Sequence, residues 1–475
     1  MQKVVIMGAG PAGLAAGYRL VNADIETVLL EKESYVGGIS KTVNFDNYYF
    51  DLGGHRFFTK FDEVNKFWNE VLGQDDFRTR PRLSRIYYKN KFFNYPIKPL
   101  NALIGMGFSD SVVVACSYVK AKLFSYKKEK TFEEWVTNRF GSKLYSVFFK
   151  TYTEKVWGIP CNQISAEWAA QRIKGLSLFS ALKNAILKGK GNQIKTLIDE
   201  FKYPVYGPGM MYNRAKQLIE DKGAQVRLNS KIIGVKRDKF KITAVEYFNE
   251  NGEIVEENGS HFISSIPITE LIALFDPLPE KEVVTAASKL KYRSFITVGV
   301  VVNKKHVFPD NWIYVHSPEV MLGRIQNFKN WSPDMCADPE KTNLGLEYFC
   351  TEGDELWNMT DEEIYEIACS DLHKLNMASR QDIESFMVHR VPKAYPVYMQ
   401  GYNKYLSTIK EYVRKFTNLE LVGRYGMFKY NNMDHSIITG LYAADNILGI
   451  DSHNIWDVNT DEEYHEEKTN ASIRR

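Results

Sequence analysis

"KVVIMGAGPAGLAAGYRLVNADIETVLLEK", residues 3–32, is the stretch that decides the fold. Val4 to Met7 form a short apolar run that meets Gly8, Gly10 and Gly13. Leu14, Ala15, Ala16 and Leu20 then recur at helical spacing, and a second apolar run, Thr27 to Leu30, stops at Glu31. The pattern is strand, glycine turn, helix, strand. Gly8 makes the tight turn, Gly10 lets a pyrophosphate approach the backbone, and Gly13 lets helix and strand pack closely. The helix start at Pro11 and Ala12 offers N–H groups and a positive dipole end to phosphates. Glu31 stands where an acceptor for ribose hydroxyls belongs.

Three features make the expected dinucleotide FAD rather than a nicotinamide. The motif opens the chain, and "EKESYVGGISKT" at 31–42 follows it with Lys32, Gly37 and Gly38. No second fingerprint appears, because "GMGFSD" at 105–110 and "GKGNQ" at 189–193 do not sit between a strand and a helix. A tightly held flavin without a permanent nicotinamide domain is expected. "DLGGHRFFTK" at 51–60 adds Gly53 and Gly54, which let the backbone come close to a flat or charged ligand, directly before His55.

Composition narrows the class. The 475 residues with 44% apolar content allow two or three domains with substantial cores. Sixty-one basic against 58 acidic residues, net +3, give no footprint for a nucleic acid. Cys116, Cys161, Cys336, Cys350 and Cys369 are odd in number and contain no C-x-x-C pair, so reduced thiols in a cytoplasmic protein are expected, with no disulfide framework and no metal site. Neither a signal peptide nor an apolar run long enough for a bilayer is found, and no stable membrane association is expected. The basic run "YVKAKLFSYKKEK" at 118–130 reads as a solvated helix face and loop rather than a membrane-surface patch.

The fold class expected is α/β: an FAD-binding Rossmann-like domain of glutathione-reductase type, with a helical insertion and an antiparallel-sheet substrate domain. Residues 1–85, 201–275 and 416–455 are assigned to the FAD-binding domain, 86–200 to a mainly helical substrate wall, 276–415 to the antiparallel sheet, and 456–475 to a polar tail. Thr131 with Glu134 reads as a capping box, and Asn251-Gly252 as a hairpin turn. "FISSIP" at 262–267 is the strand that rejoins the nucleotide domain. Gly423, Gly426 and the helix expected after Asp434 give a second helix start that meets the cofactor, with Ser436 in its first turn.

In order along nearly the whole chain, the residues resemble the UDP-galactopyranose mutases, eukaryote-type and related bacterial enzymes, within the amine-oxidase-like and protoporphyrinogen-oxidase-like FAD flavoproteins. The resemblance rests on the fingerprint, "GGH" at 53–55, "NYPI" at 94–97, "KVWGIP" at 155–160 with Arg172 downstream, "RIQNFKNWSP" at 324–333, "YP" at 395–396 and "GRYGMFKYNNMDHSI" at 423–437. It implies an isomerase in which N5 of the reduced flavin is the nucleophile at a sugar's anomeric carbon. Pyranose and furanose forms of a UDP-linked hexose interconvert without net redox change, for surface polysaccharide assembly, with NAD(P)H as transient reductant.

It further implies Arg172 and Arg324 on the diphosphate, and Tyr314, Tyr395 and Tyr430 reaching it by hydroxyl. Arg424 and Asn432 lie near flavin and sugar, Trp157 is the aromatic near the substrate, Tyr95 is on the uridine side, and His55 faces the flavin. Lys98 stands where the eukaryote-type enzymes carry an amide, Thr153 where they carry an asparagine, and Tyr206 where they carry an arginine. An added ammonium suits a different nucleotide or an acidic sugar. The alternative is a true FAD oxidoreductase acting on a sugar or other small metabolite; a homodimer is left open.

Overall fold

The computed structural model describes residues 2–95, 97, 99–168 and 200–460. The strand Lys3–Met7 forms the centre of a five-stranded sheet, between His261–Ser264 and Glu26–Leu30, with Leu419–Leu421 and Gln225–Arg227 at the edges. All four pairings are parallel. Parallel strands need helical crossovers that cover their faces, and the helices Pro11–Val21, Gly209–Asp221 and Met433–Leu448 do so. Gly13 and Gly440 set the packing: a Cβ on Gly13 would lie 2.0 Å from the Gly8 carbonyl, and one on Gly440 would lie 2.1 Å from the Ala12 carbonyl. The helix ends at Pro11 and Met433 are thereby drawn to one rim of the sheet.

The hairpin Lys241–Phe248/Ile254–Asn258 turns around Gly252 at φ +78° and belongs to a four-stranded side sheet. The largest sheet has seven strands, ordered Ile383–Val397, Lys291–Val302, Thr342–Cys350, Arg324–Asn327, Trp312–Val315, Ser84–Tyr88, Lys91–Asn94. Its last two strands come from the segment read as the end of the nucleotide domain and the start of a helical insertion. "RIYY" and "KFFN" are rich in β-branched and aromatic residues on either side of a turn at Lys89 and Asn90, both at positive φ, and their hairpin extends the sheet instead. One pairing in it, Trp312–Val315 with Ser84–Tyr88, is parallel, so the sheet is mixed.

Helices follow from Pro99–Met106 to Phe108–Leu123 and Phe132–Tyr145. Thr131 caps the last, accepting from the Glu134 N–H at 3.2 Å while Glu134 Oε2 accepts from the Thr131 N–H at 3.1 Å. Of the segment read as a polar tail, residues 456–460 are held to the body: Val458 is buried, and Asn459 Nδ2 donates to the Tyr430 carbonyl at 3.1 Å. Residues 169–199 of the segment read as a helical wall, and 461–475, lie outside the described residues. The cysteines are free thiols, four of them buried. Among the described residues, no helix is long and apolar enough to cross a membrane.

Candidate functional site

The loop after Lys3–Met7, the strand end at Glu31, the turn at Gly53–Gly54 and the start of Met433–Leu448 converge on a cavity of about 640 Å³. Gly8 adopts φ +101°, with the Ser265 hydroxyl 2.4 Å from where a Cβ would be. Gly10 has no atom within 4 Å of its Cβ position, so its backbone lies open to the cavity. Glu31 is buried. Its Oε2 accepts from the Ala9 N–H at 2.8 Å and its Oε1 from the Glu33 N–H at 3.1 Å. Burial raises the Glu31 pKa, and these two N–H donors pull against it.

Lining the same cavity are Pro11, Ala12, Lys32, Gly38, Gly53, His55, Gly423, Arg424, Asp434 and Ser436. Gly13 and Gly37 serve from behind: Gly13 lets the helix meet the Gly8 turn, and Gly37, at φ +94°, packs on the Tyr212 ring. The donor set fits FAD. An open glycine backbone sits at a helix start, a buried carboxylate ends the second strand, and a second helix start stands at the far end.

His55 donates Nε2–H to the Leu52 carbonyl at 2.9 Å. Burial, helped by the Arg424 and Arg324 charges, lowers its pKa to about 4, so the ring is neutral at pH 7. Burial likewise raises the Asp434 pKa to about 7.

A second cavity, of about 400 Å³, abuts the first; Gly54, Arg56, Arg324, Tyr395, Tyr430 and Asn432 line both. Its walls are aromatic. Trp157 on the helix Thr151–Trp157 packs edge-on to Trp168, with ring centroids 4.9 Å apart, and Tyr395 stacks on Tyr430 at 5.7 Å. Tyr95 and Tyr314 meet at 4.7 Å. Tyr95, Trp157, Tyr314, Tyr395, Tyr430 and Asn432 are therefore brought together around one space beside His55. Arg172 and Lys98 lie outside the described residues.

Arg324 is placed differently from the surface ion pair a lone arginine suggests. Tyr314, Arg324 and Glu347 are register neighbours on three adjacent strands. Arg324 Nε lies 2.8 Å from Glu347 Oε1, its Nη2 bonds Glu347 Oε2, and Nη2 also reaches the Tyr395 hydroxyl at 3.3 Å. Glu347 has no solvent exposure and also accepts from Gln326 Nε2 at 2.8 Å. Burial disfavours the Arg324 charge, but Glu347 outweighs that and holds the guanidinium protonated.

Sequence reasoning missed Glu347, Arg56, Lys155 and Tyr152. Glu347 had a signal: it is the one charge in the apolar run "NLGLEYFC", and a buried charge needs a partner. Lys155 lies inside "KVWGIP", and its Nζ donates to the carbonyls of Ser317 at 2.8 Å and Leu322 at 2.9 Å. It pins the loop joining the strands of Tyr314 and Arg324. Burial lowers its pKa to about 8. Tyr152 stacks on His316 at 4.9 Å beneath the second cavity. Among the described residues, no cluster of three or more His, Cys, Asp or Glu could hold a metal ion.

The family model for flavin-containing amine oxidoreductases matches residues 11–448. The chain is 24% identical over 398 residues to 15-cis-phytoene desaturase of Arabidopsis thaliana, covering 78% of this chain and 66% of that one. It is 25% identical over 170 residues to a probable UDP-galactopyranose mutase of Klebsiella pneumoniae, covering 35% of this chain and 43% of that one. The chain thus spans about two thirds of the desaturase and under half of the mutase relative. A crystal structure of a reduced UDP-galactopyranose mutase superposes with a TM-score of 0.82 at 23% identity, covering 98% of this chain and all of that one. That likeness is one of fold.

Proposed function

Because the chain belongs to the flavin-containing amine oxidoreductase family, we propose that it is an FAD-dependent nucleotide-sugar mutase, interconverting pyranose and furanose forms of a UDP-linked hexose. One observation carries the reading: an aromatic-walled cavity opens on the dinucleotide cavity beside His55, with Arg324 lining both. A small amine offers no anion to a fixed guanidinium among hydroxyl-bearing rings, and an aromatic-walled cavity of about 400 Å³ is larger than an amino acid needs. A sugar diphosphate offers that anion, since breaking its anomeric bond moves negative charge onto the leaving phosphate.

The chain's own residues have defined tasks. Glu347 and Gln326 fix the Arg324 guanidinium before substrate arrives, so less freedom is lost on binding. Tyr395 and Tyr430 offer hydroxyls alongside it, and Arg172 is assigned the second guanidinium on the diphosphate. Trp157 supplies a ring face for base or sugar, Tyr95 and Lys98 are assigned to the uridine side, and Asn432 to the sugar. His55, neutral and anchored on Leu52, faces the flavin. When bound in its reduced form, FAD supplies the nucleophile for the anomeric carbon. NAD(P)H as reductant, a cytoplasmic location, a role in surface polysaccharide assembly and the domain division given above, with the hairpin at 84–94 moved to the seven-stranded sheet and 456–460 to the body, belong to the same proposal.

Adding UDP to the FAD-loaded protein tests the site. A saturable change in the flavin spectrum that Arg324→Ala weakens supports the reading; an unchanged spectrum with UDP and UDP-hexoses contradicts it.

A further inference from the structure

The helix Phe108–Leu123 has two faces of unlike fate. Inward, Val114 and Ala121 are buried, and the helix meets Phe132–Tyr145 so closely that a Cβ on Gly141 would lie 2.8 Å from the Tyr118 backbone nitrogen. That contact fixes which way the helix is turned. Outward, Phe108, Val112, Ala115, Cys116, Val119 and Leu123 are all exposed. Their spacing of four, three, one, three and four residues puts them on a single stripe. Phe108 is 88% and Leu123 72% exposed, and the stripe is prolonged at its ends by Ile104 at 81% and Phe124 at 76%. A contiguous apolar face of this kind marks an interaction surface.

Its border says what it meets. Lys120 and Lys122 flank the stripe, and Lys127, Lys128 and Lys130 follow in the adjoining loop, all exposed. A second copy laid parallel on this face would set lysine against lysine, and one laid antiparallel would cover the stripe but leave the lysines at its end unanswered. An anionic bilayer surface answers both features, taking the apolar side chains at the headgroup boundary and pairing the lysines with lipid phosphates. We propose that this helix docks the protein reversibly on an anionic membrane surface. The basic run is then the rim of an interfacial patch rather than a merely solvated helix face. The same helical layer backs the second cavity, since Val114 packs in one cluster with Phe148 and, at its edge, Tyr95 and Tyr314. Docking therefore holds the substrate cavity near the membrane, where a sugar product for a surface polymer is consumed. That last point rests on the function proposed above; the docking itself does not.

Flotation of the FAD-loaded full chain with vesicles tests it. With about one third phosphatidylglycerol in phosphatidylcholine, the protein is expected to float at low salt, and binding is expected to fall at least about tenfold on raising salt to about 0.5 M. Phe108→Ser with Leu123→Ser, and separately Lys120→Glu with Lys127→Glu and Lys128→Glu, are expected to lower binding at least about fivefold. Circular dichroism and the UDP-induced flavin change should stay as in the parent, since these side chains touch neither cavity. No flotation with the anionic vesicles overturns the proposal. So does a dimer in solution that the Phe108→Ser, Leu123→Ser variant dissolves. Loss of UDP response in the parent protein strikes the proposed function and leaves the flotation result standing.

Discussion

Arg324 and Glu347 face each other across adjacent strands, and the guanidinium closes on a carboxylate that has no solvent exposure. In the proposed function the pair joins substrate binding to stability. Removing one member leaves the other charge buried and unpaired, at a cost of about 3 to 5 kcal/mol. Arg324→Ala is therefore expected to lower unfolding free energy by that amount and to weaken nucleotide-sugar binding by about 2 to 4 kcal/mol. Arg324→Met combined with Glu347→Leu should regain most of the stability and none of the binding. Denaturant unfolding and UDP titration separate the two; a double variant that binds like the parent removes Arg324 from the diphosphate.

Gly10 and Gly13 are predicted to fail in different ways. Gly10→Ala meets no atom in the protein, so the fold should persist, while FAD affinity drops about tenfold or more because the methyl enters the dinucleotide cavity. Gly13→Ala drives a Cβ into the Gly8 carbonyl and should destabilise the apoprotein itself. Flavin content and apoprotein melting temperature, measured together, check the pair. Full flavin loading of Gly10→Ala would move the pyrophosphate elsewhere.

His55→Ala is expected to retain FAD and to slow turnover on the order of tenfold or more. The ring lines the larger cavity, whereas the proposed site holds the dinucleotide at the glycine turn and Glu31, residues the substitution leaves in place. Parent-like turnover would reduce His55 to a structural residue.

His316 is 4% exposed, and burial with the Lys155 charge lowers its pKa from 6.5 to about 3. The unfolded chain takes up this proton below pH 6.5, while the folded protein resists until about pH 3. The stability contribution is complete above 6.5 and is lost as pH falls through that window, by about 2 kcal/mol at pH 5. Asp434, raised to about 7, runs the opposite way: it binds its proton more tightly when folded and favours the fold as pH falls below 7. The comparison is therefore of slopes. His316→Gln should show a smaller drop in melting temperature from pH 7 to pH 5 than the parent; equal drops would contradict the assignment.

The nucleotide half of the site was legible because its chemistry is local. Three glycines, a helix start and Glu31 lie within one strand–helix–strand unit, and each residue type answers to one backbone or phosphate requirement. The substrate half is assembled from six separate segments, so only the resemblance could bring Tyr95, Trp157, Tyr314 and Tyr395 together. Glu347 was visible as a lone charge in an apolar strand, but its partner depends on sheet register, which the sequence does not encode locally. The hairpin at 84–94 was drawn into the wrong element by the helices that follow it. The apolar stripe of Phe108–Leu123 went unread because only the basic run at 118–130 stood out, and which face points inward is set by Gly141 in the next helix.

The most direct test of the central claim is turnover under reducing conditions. Dithionite-reduced, FAD-loaded protein given UDP-galactofuranose and other UDP-hexofuranoses, without oxygen or an electron acceptor, is predicted to yield the corresponding UDP-pyranose over many cycles by chromatography, while the oxidised protein does not. Absence of conversion across the panel, with sustained oxidation of a sugar or other small metabolite by the oxidised protein and an acceptor, would contradict the mutase and establish the oxidoreductase in its place.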